Sequence, residues 1–471
     1  MHAESKTSDR EKSCNKTGYS LKFRRVKEIG QGGLTLYMAT IVPFRGLRYN
    51  QEKVKKLSSV VTPPYDIIDE AAQARYYAED PVNIIRLELG LIFPQDTACN
   101  NRYTRAAQYL HKWMEDQTLI AEDSPVLYLY QQEFTIKGKR LIRNGLLCGL
   151  KVEPYENGNI LPHEETLSKP KADRLHLMRS THANFSSIFG LYSDPKKVID
   201  NSLIKYSQEK PADISIEDEA GEFHRIWVVN DQKIIDKIVK TMADKKIFIA
   251  DGHHRYETAL GYAEEMKEQG LTGYDYVMAT LVNLFDEGLV VLPTHRVAGK
   301  LKDFKMSSFL QQLENLFRIE KRGNKDNLPA LIEEMASKGE KEHVFGLYAS
   351  QELYLLTLKD FPQASACLPA EKSDAWKNLD VALLDNLILD QILGIGEQER
   401  RNQENLAYSR SEEWVVEQVD NKSYQIGLLI NPTRVQEIVD VASARDKMPQ
   451  KSTYFYPKLI TGLVINNLDI K

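Results

Sequence analysis

The chain has 471 residues, a length that suggests roughly three domains or two large ones. Hydrophobic residues make up 42% and charged residues 27%, the balance of a folded globular chain and not of a disordered or fibrous one. Lys+Arg 62 against Asp+Glu 67 leave a net charge of -5, without the basic excess that marks nucleic-acid binders.

Residues 1–37 carry neither a helical period nor a strand alternation and read as a disordered extension, with Met38 as the natural start. Gly30, Gly32 and Gly33 make no phosphate loop, since no GK[ST] follows them. From Met38 on, Ile41, Val42 and Phe44 predict a strand running into a turn at Pro43–Gly46. Strands are predicted over 126–134, 146–152, 222–229, 246–250, 344–349 and 354–358. Helices are predicted over 102–116, 231–245, 255–269, 305–318 and 327–338. They neither alternate one-for-one nor segregate, which favours an α+β fold of mixed sheets with packed helices over a doubly wound sheet. Charge-rich spacers near 193–221 and 299–304 divide the chain into an N-terminal α/β region (38–195), a core (222–300) and a C-terminal α/β region that completes the site (301–471).

No run approaches the ~18 apolar residues of a membrane helix, and the N-terminus lacks a signal-peptide core. Cys14, Cys99, Cys148 and Cys367 are scattered without a CxxC, which fits a reducing cytoplasm. Neither a membrane nor a nucleic acid is an expected partner.

The segment 246–270 is the most informative. Ile247–Ala250 make a short apolar run, Asp251-Gly252 signal a turn, and Tyr256, Leu260, Ala263 and Met266 recur at helical spacing. Asp251, His253, His254 and Arg255 therefore crowd a strand-to-helix junction. A helix N-terminus offers free N–H groups to phosphate; Gly252 permits close backbone approach, and Arg255 adds a forked cation. Farther back, 161–174 packs His163, Glu164, Glu165, Lys169, Lys171, Asp173 and Arg174 around two prolines. Adjacent carboxylates and a histidine suit Mg2+, whereas Lys171 and Arg174, three apart, would share a helix face. A solvated charged loop explains the same run equally well on spacing alone. Tyr65 and Asp66 follow a Pro-Pro turn as candidate substrate contacts. His295 and Arg296 end an apolar run; Lys451 and Lys458 flank Tyr454 and Tyr456, as phosphate contacts or as lysines snorkelling over rings.

FIADGHHRYETAL (248–260) resembles the glycine–histidine/arginine turn of the ParB/sulfiredoxin-like superfamily, whose free serine kinases also carry DGHHR. The resemblance implies a ParB/sulfiredoxin-like core over 222–300, a turn that cradles nucleotide phosphates, and ATP or ADP with Mg2+ as cofactors. His253 and His254 stand where sulfiredoxin chemistry needs a cysteine, so sulfinic-acid repair is not expected. Over most of 38–471 the chain is similar to the domain of unknown function 1015 family. The shared segments are TPPYDII (62–68), NIIRLELG (83–90), LPHEETL (161–167), KADRL (171–175), ADGHHRYETA (250–259), LPTHR (292–296) and KSTYFYPK (451–458). That family implies no activity.

The expected function is a nucleotide-dependent phosphotransferase acting on a small hydroxylated metabolite, with serine or phosphoserine entering only by analogy. Gly252, Arg255, Lys171, Arg174, His295, Arg296, Lys451 and Lys458 would bind nucleotide or phosphate, and Asp251, Glu164 and Glu165 would hold metal. Asp251, His253, His254 or Glu164 would take the hydroxyl proton; the residues do not choose among them. The alternatives are a non-catalytic nucleotide-binding regulator of ParB type and a metal-dependent phosphohydrolase.

Overall fold

The computed structural model describes residues 39–470 apart from residues 165 and 167, so the expectations for residues 1–37 and for Glu165 lie outside the described residues. Along 127–130, Leu127 and Leu129 alternate with Tyr128 and Tyr130, and all four are buried, so this stretch is covered on both faces. It opens one arm of the hairpin at the centre of the larger sheet. The two-residue loop of that hairpin, Lys137-Gly138, has φ of 47° and 76°, the doubly left-handed turn that matches strand twist.

Nine strands build this sheet: β1 (Ile41–Val42), β2 (Leu127–Ile136), β3 (Lys139–Lys151), β4 (Ile160–Leu161), β5 (Ile188–Tyr192), β6 (Ile214–Glu217), β7 (Phe223–Val229), β8 (Ile247–Asp251) and β9 (Tyr276–Asn283). Their order is β4-β8-β5-β9-β3-β2-β7-β6, with β1 beside β3. β8 runs parallel to β4, and β5 to β9; the other described pairings are antiparallel. Ile247 and Ile249 enter one core with Tyr256 and Ala259, whereas Phe248 and Ala250 enter the core on the opposite face. Helices α1 (Ser168–Thr181) and α2 (His253–Glu268) pack against one another beside β8.

A second sheet contains β10 (His295–Ala298), β11 (Phe317–Gly323), β12 (Val344–Ala349), β13 (Glu352–Leu358), β14 (Leu406–Ser409) and β15 (Ile426–Ile430), in the order β11-β13-β12-β15-β10-β14. The fold is α+β. Regions 38–195 and 222–300 interleave in the larger sheet, and the 193–221 spacer holds β6 and a helix, Val198–Gln208. β10 already belongs to the second sheet, so the passage between sheets precedes the 299–304 spacer. The helix predicted over 305–318 stops at Leu313, and Phe317 starts β11 with its ring against Phe345. β3 begins at Lys139, well before the predicted 146, because Lys139, Arg140, Arg143 and Asn144 interrupt the apolar run in its first half.

The C-terminal segment pairs with short segments that lie outside the nine strands of the larger sheet. Phe455–Tyr456 pair with Val290–Val291, Thr461 bridges to Thr62, Ile465 to Leu47, and Asn466–Asn467 pair with Ala183–Asn184. This path carries Lys458 across the end of β8.

Candidate functional site

β8 ends in a bulge. The register passes from Ile249 opposite Gly190 to Asp251 opposite Phe189, leaving one extra residue that redirects the strand end. Gly252 follows at φ 88° and ψ 29°, a left-handed conformation that costs other residues roughly 1–2 kcal/mol. A Cβ there would also lie 2.9–3.0 Å from the Arg255 guanidinium. Gly252 is thus the residue that lets β8 break directly into α2. That helix has 16 residues, and Gly252 at its N-cap has no side chain to cap it; the N–H groups of a first helical turn have no partner within their own helix and suit an anion.

Asp251 gathers the charge. Its Oδ1 accepts the Gly252 N–H at 2.9 Å, and its Oδ2 takes Lys458 Nζ at 3.0 Å with Arg255 Nη2 at 3.9 Å. Burial opposes ionisation, but Lys458 and Arg255 outweigh it and hold the carboxyl far below the usual range. Arg255 also donates from Nη1 to the Ser187 carbonyl at 2.6 Å. Two cations are therefore fixed beside the N-terminus of α2.

β4 runs parallel to β8 and delivers His163 to the same place. The His163 ring is fully buried; Nδ1 donates to the Ile249 carbonyl at 2.6 Å, and Nε2 meets the Thr453 hydroxyl at 3.1 Å and Glu164 Oε1 at 3.7 Å. Its backbone N–H donates to His253 Nε2 at 3.3 Å, with the two rings edge-on at 4.8 Å. Burial, then repulsion from His163, lowers the His253 pKa to about 3, so the ring is neutral and its accepting nitrogen is taken. Glu164 is about one-third exposed; burial opposes its charge, but His163 dominates and brings it to about 2. Burial also lowers the His254 pKa, near Glu257, Lys171 and Asp66.

The 161–174 run lies against the turn, but Lys171 and Arg174 have partners of their own. Lys171 pairs with Glu257 of α2 at 2.9 Å, and Thr166 donates to the same oxygen at 2.6 Å. Arg174 is 6% exposed, forked between Asp173 and Glu88, and stacked 4.0 Å from the Tyr65 ring. Tyr65 thus packs on Arg174, and burial pushes its hydroxyl up to about 12. Asp66 is exposed, and its charge is felt by Lys458 and His254. His295 and Arg296 are buried in β10 instead: His295 accepts the Ile430 N–H and faces Glu412, while Arg296 faces Asp385. Lys451 is exposed on a left-handed residue, φ 59°, seven positions before Lys458.

Thr453, Glu257 and Arg143 belong to the site although the sequence alone points to no role for them. Arg143, 1% exposed, donates to the carbonyls of Tyr456 at 3.1 Å and Pro457 at 2.5 Å and so seats the strap bearing Lys458. A buried arginine in a polar half-strand gives no local signal. Thr453 lies inside KSTYFYPK, whose closeness to His163 is legible only in three dimensions.

Asp251 has one oxygen on Gly252 and the other on Lys458, leaving it poorly placed to hold Mg2+. Of the expected metal residues that are described, Asp251 and Glu164 are both partly exposed, but the Asp251 oxygens are bonded to Gly252 and Lys458, and the one carboxylate that remains does not make a Mg2+ site. A cleft of about 40 Å3 beside Arg255 and Arg174 is small. A larger one of about 240 Å3 contains Trp376, Asp385, Tyr408 and Met448; the Met448 N–H donates to the His163 carbonyl at 2.8 Å.

The family model described as "Protein of unknown function (DUF1015)" matches residues 41–382. The chain belongs to that family. No curated protein matches it. Among solved structures, a free serine kinase in complex with AMP is 10% identical with a TM-score of 0.33, over 67% of this chain and 91% of that one. SbnI from Staphylococcus aureus, truncated at its C-terminus, is 10% identical with a TM-score of 0.33, over 69% and 89%. A conserved hypothetical protein from Pyrococcus furiosus is 11% identical with a TM-score of 0.30, over 67% and 94%. Among the described residues no helix is long and apolar enough to cross a membrane.

Proposed function

We propose that this member of the family is a nucleotide-dependent phosphotransferase acting on a small hydroxylated metabolite. The reading rests on one observation: an uncapped helix N-terminus, opened by left-handed Gly252, with Arg255 and Lys458 held beside it by Asp251. Phosphoryl transfer is chiefly positioning and charge neutralisation, and this junction supplies N–H donors and two cations in one place. ATP or ADP phosphates would lie over Gly252, sharing Lys458 and Arg255 with Asp251.

Glu164 is the group we assign to the hydroxyl proton. It is ionised and partly exposed, whereas both Asp251 oxygens are engaged and the accepting nitrogen of His253 is taken. His163 and Thr453 would hold Glu164 in place from behind. Serine is the first acceptor to try, because the DGHHR turn resembles that of free serine kinases. No step is routed through a metal held by these residues.

The test is a thermal-shift screen of nucleotides, followed by product analysis with ATP or ADP and a panel of hydroxylated metabolites. The reading expects nucleotide stabilisation, phosphorylated product, and a loss of about 100-fold or more in turnover for Glu164→Gln with nucleotide binding kept. Absence of any nucleotide effect would overturn it.

A further inference from the structure

A second cluster lies at the end of the β6–β7 hairpin. Asp218, Glu222 and His224 each bring one donor atom to a common point, all within 4.8 Å of one another. His224 is fully buried, with Nδ1 2.7 Å from the Tyr130 hydroxyl and Nε2 3.1 Å from Asp218 Oδ2. Asp218 Oδ1 is used within the loop, accepting from the N–H groups of Ala220 and Glu222, so Oδ2 is the oxygen turned to the cluster.

A hydrogen-bonded His224–Asp218 pair accounts for those two side chains. It does not account for Glu222. This carboxylate is 6% exposed, and its Oε1 is buried without a hydrogen-bond partner among the described residues. Leaving such an oxygen dry beside a second carboxylate is costly, and the cost is relieved either by taking up a proton or by a cation held between the two carboxylates. The Tyr456 hydroxyl hydrogen-bonds toward the same carboxylate, a neutral donor that does not cancel its charge, and Arg143 adds a more distant positive charge.

We propose that Asp218, Glu222 and His224 form a binding site for one first-row divalent cation of the Zn2+ or Mn2+ type. One imidazole nitrogen with two carboxylate oxygens is a donor set such ions accept, whereas Mg2+ and Ca2+ favour all-oxygen shells. His224 would bind through Nε2, giving up any proton there, and donate from Nδ1 to Tyr130, the outer-shell bond that fixes a ligating imidazole. Tyr130 in turn accepts the Ile460 N–H at 3.4 Å. The ion would therefore fasten the hairpin to the strap that contains Tyr456, Lys458 and Ile460.

The full chain, stripped with EDTA, would be titrated with Zn2+ and Mn2+ by calorimetry, with bound metal counted by mass spectrometry. One equivalent is expected, with a raised melting temperature and no comparable uptake of Mg2+ or Ca2+. Asp218→Asn and Glu222→Gln keep side-chain size; each should weaken affinity by about 10–100-fold or more while the metal-free protein remains folded. The site is overturned if the parent binds neither Zn2+ nor Mn2+, or if both variants bind as tightly as the parent. If a variant does not fold, the parent's stoichiometry and the other variant decide.

Discussion

Arg255 reaches back over Gly252, so its guanidinium borders the N-terminus of α2 and the Asp251 carboxylate at once. Arg255→Ala should forfeit a charge-assisted phosphate contact, on the order of 1.5–3 kcal/mol, while costing the unliganded fold about 1 kcal/mol through Ser187. Thermal shifts with and without ADP separate the two effects. A variant stabilised by ADP as strongly as the parent would exclude Arg255 from phosphate binding. The histidines predict a pH response. His253 faces His163, Glu164, Asp251 and Glu257, and its folded pKa of about 3 is depressed from 6.5. The unfolded chain then binds the proton first, so stability is full above about pH 6.5 and declines as pH falls toward 3. Glu164, about 2 when folded, adds a loss in the same direction at lower pH, below its ordinary 4.5. His253→Asn keeps an acceptor for His163 and should flatten the melting-temperature profile between pH 6.5 and 5. Parallel profiles for parent and variant would count against His253 as a source.

The element that matters most beyond α2 is the strap around 451–460, which has little regular structure of its own. Backbone carbonyls hold it: Arg143 takes those of Tyr456 and Pro457, and Gln132 Nε2 donates to that of Lys458 at 3.0 Å. Truncating Arg143 would take the donor from three acceptors, the carbonyls of Tyr456 and Pro457 and Gln132 Oε1, and leave a cavity under the strap. Arg143→Ala should therefore cost on the order of 3 kcal/mol in urea unfolding. It should also reduce nucleotide stabilisation, although Arg143 is placed away from phosphate, because Lys458 loses its seat. Unchanged nucleotide binding in a destabilised Arg143→Ala protein would show that the strap can move without moving Lys458.

Across the whole molecule, the C-terminal segment binds the end of the chain to its beginning. Phe455, Leu463, Val464, Ile465 and Leu468 are all buried at 6% exposure or less. At roughly 1.5–3 kcal/mol each, their burial rivals the ~5–15 kcal/mol of a whole domain. A chain ending before Lys451 should accordingly fail to give a cooperative melt, even though both sheets keep every strand. A chain shortened to begin at Met38 should melt within about 2 °C of the full one, since terminal residues without a core pattern add little. A large loss in the second case, or a cooperative melt in the first, would reverse this account.

Residues 246–270 showed their strand, turn and helix in the sequence because those features depend on neighbours: an apolar run, Asp-Gly, and a repeat at helical spacing. The register bulge at Ala250 and the missing cap only sharpened what the local pattern contained. Charge pairing was another matter. Arg174 and Arg296 look like phosphate ligands when read as isolated cations, yet burial obliges each to find a carboxylate, and Glu88 and Asp385 lie 86 and 89 positions away. Asp251 and Glu164 look like metal ligands for the same reason, until Lys458, 207 residues after Asp251, takes one of its oxygens. His163 meets His253 across 90 residues through the parallel pairing of β4 with β8. Periodicity and turn chemistry act over a few residues and can be read along the chain. Which charges are neutralised, and which remain for a ligand, follows from desolvation in the packed state, and that exists only once distant segments have met.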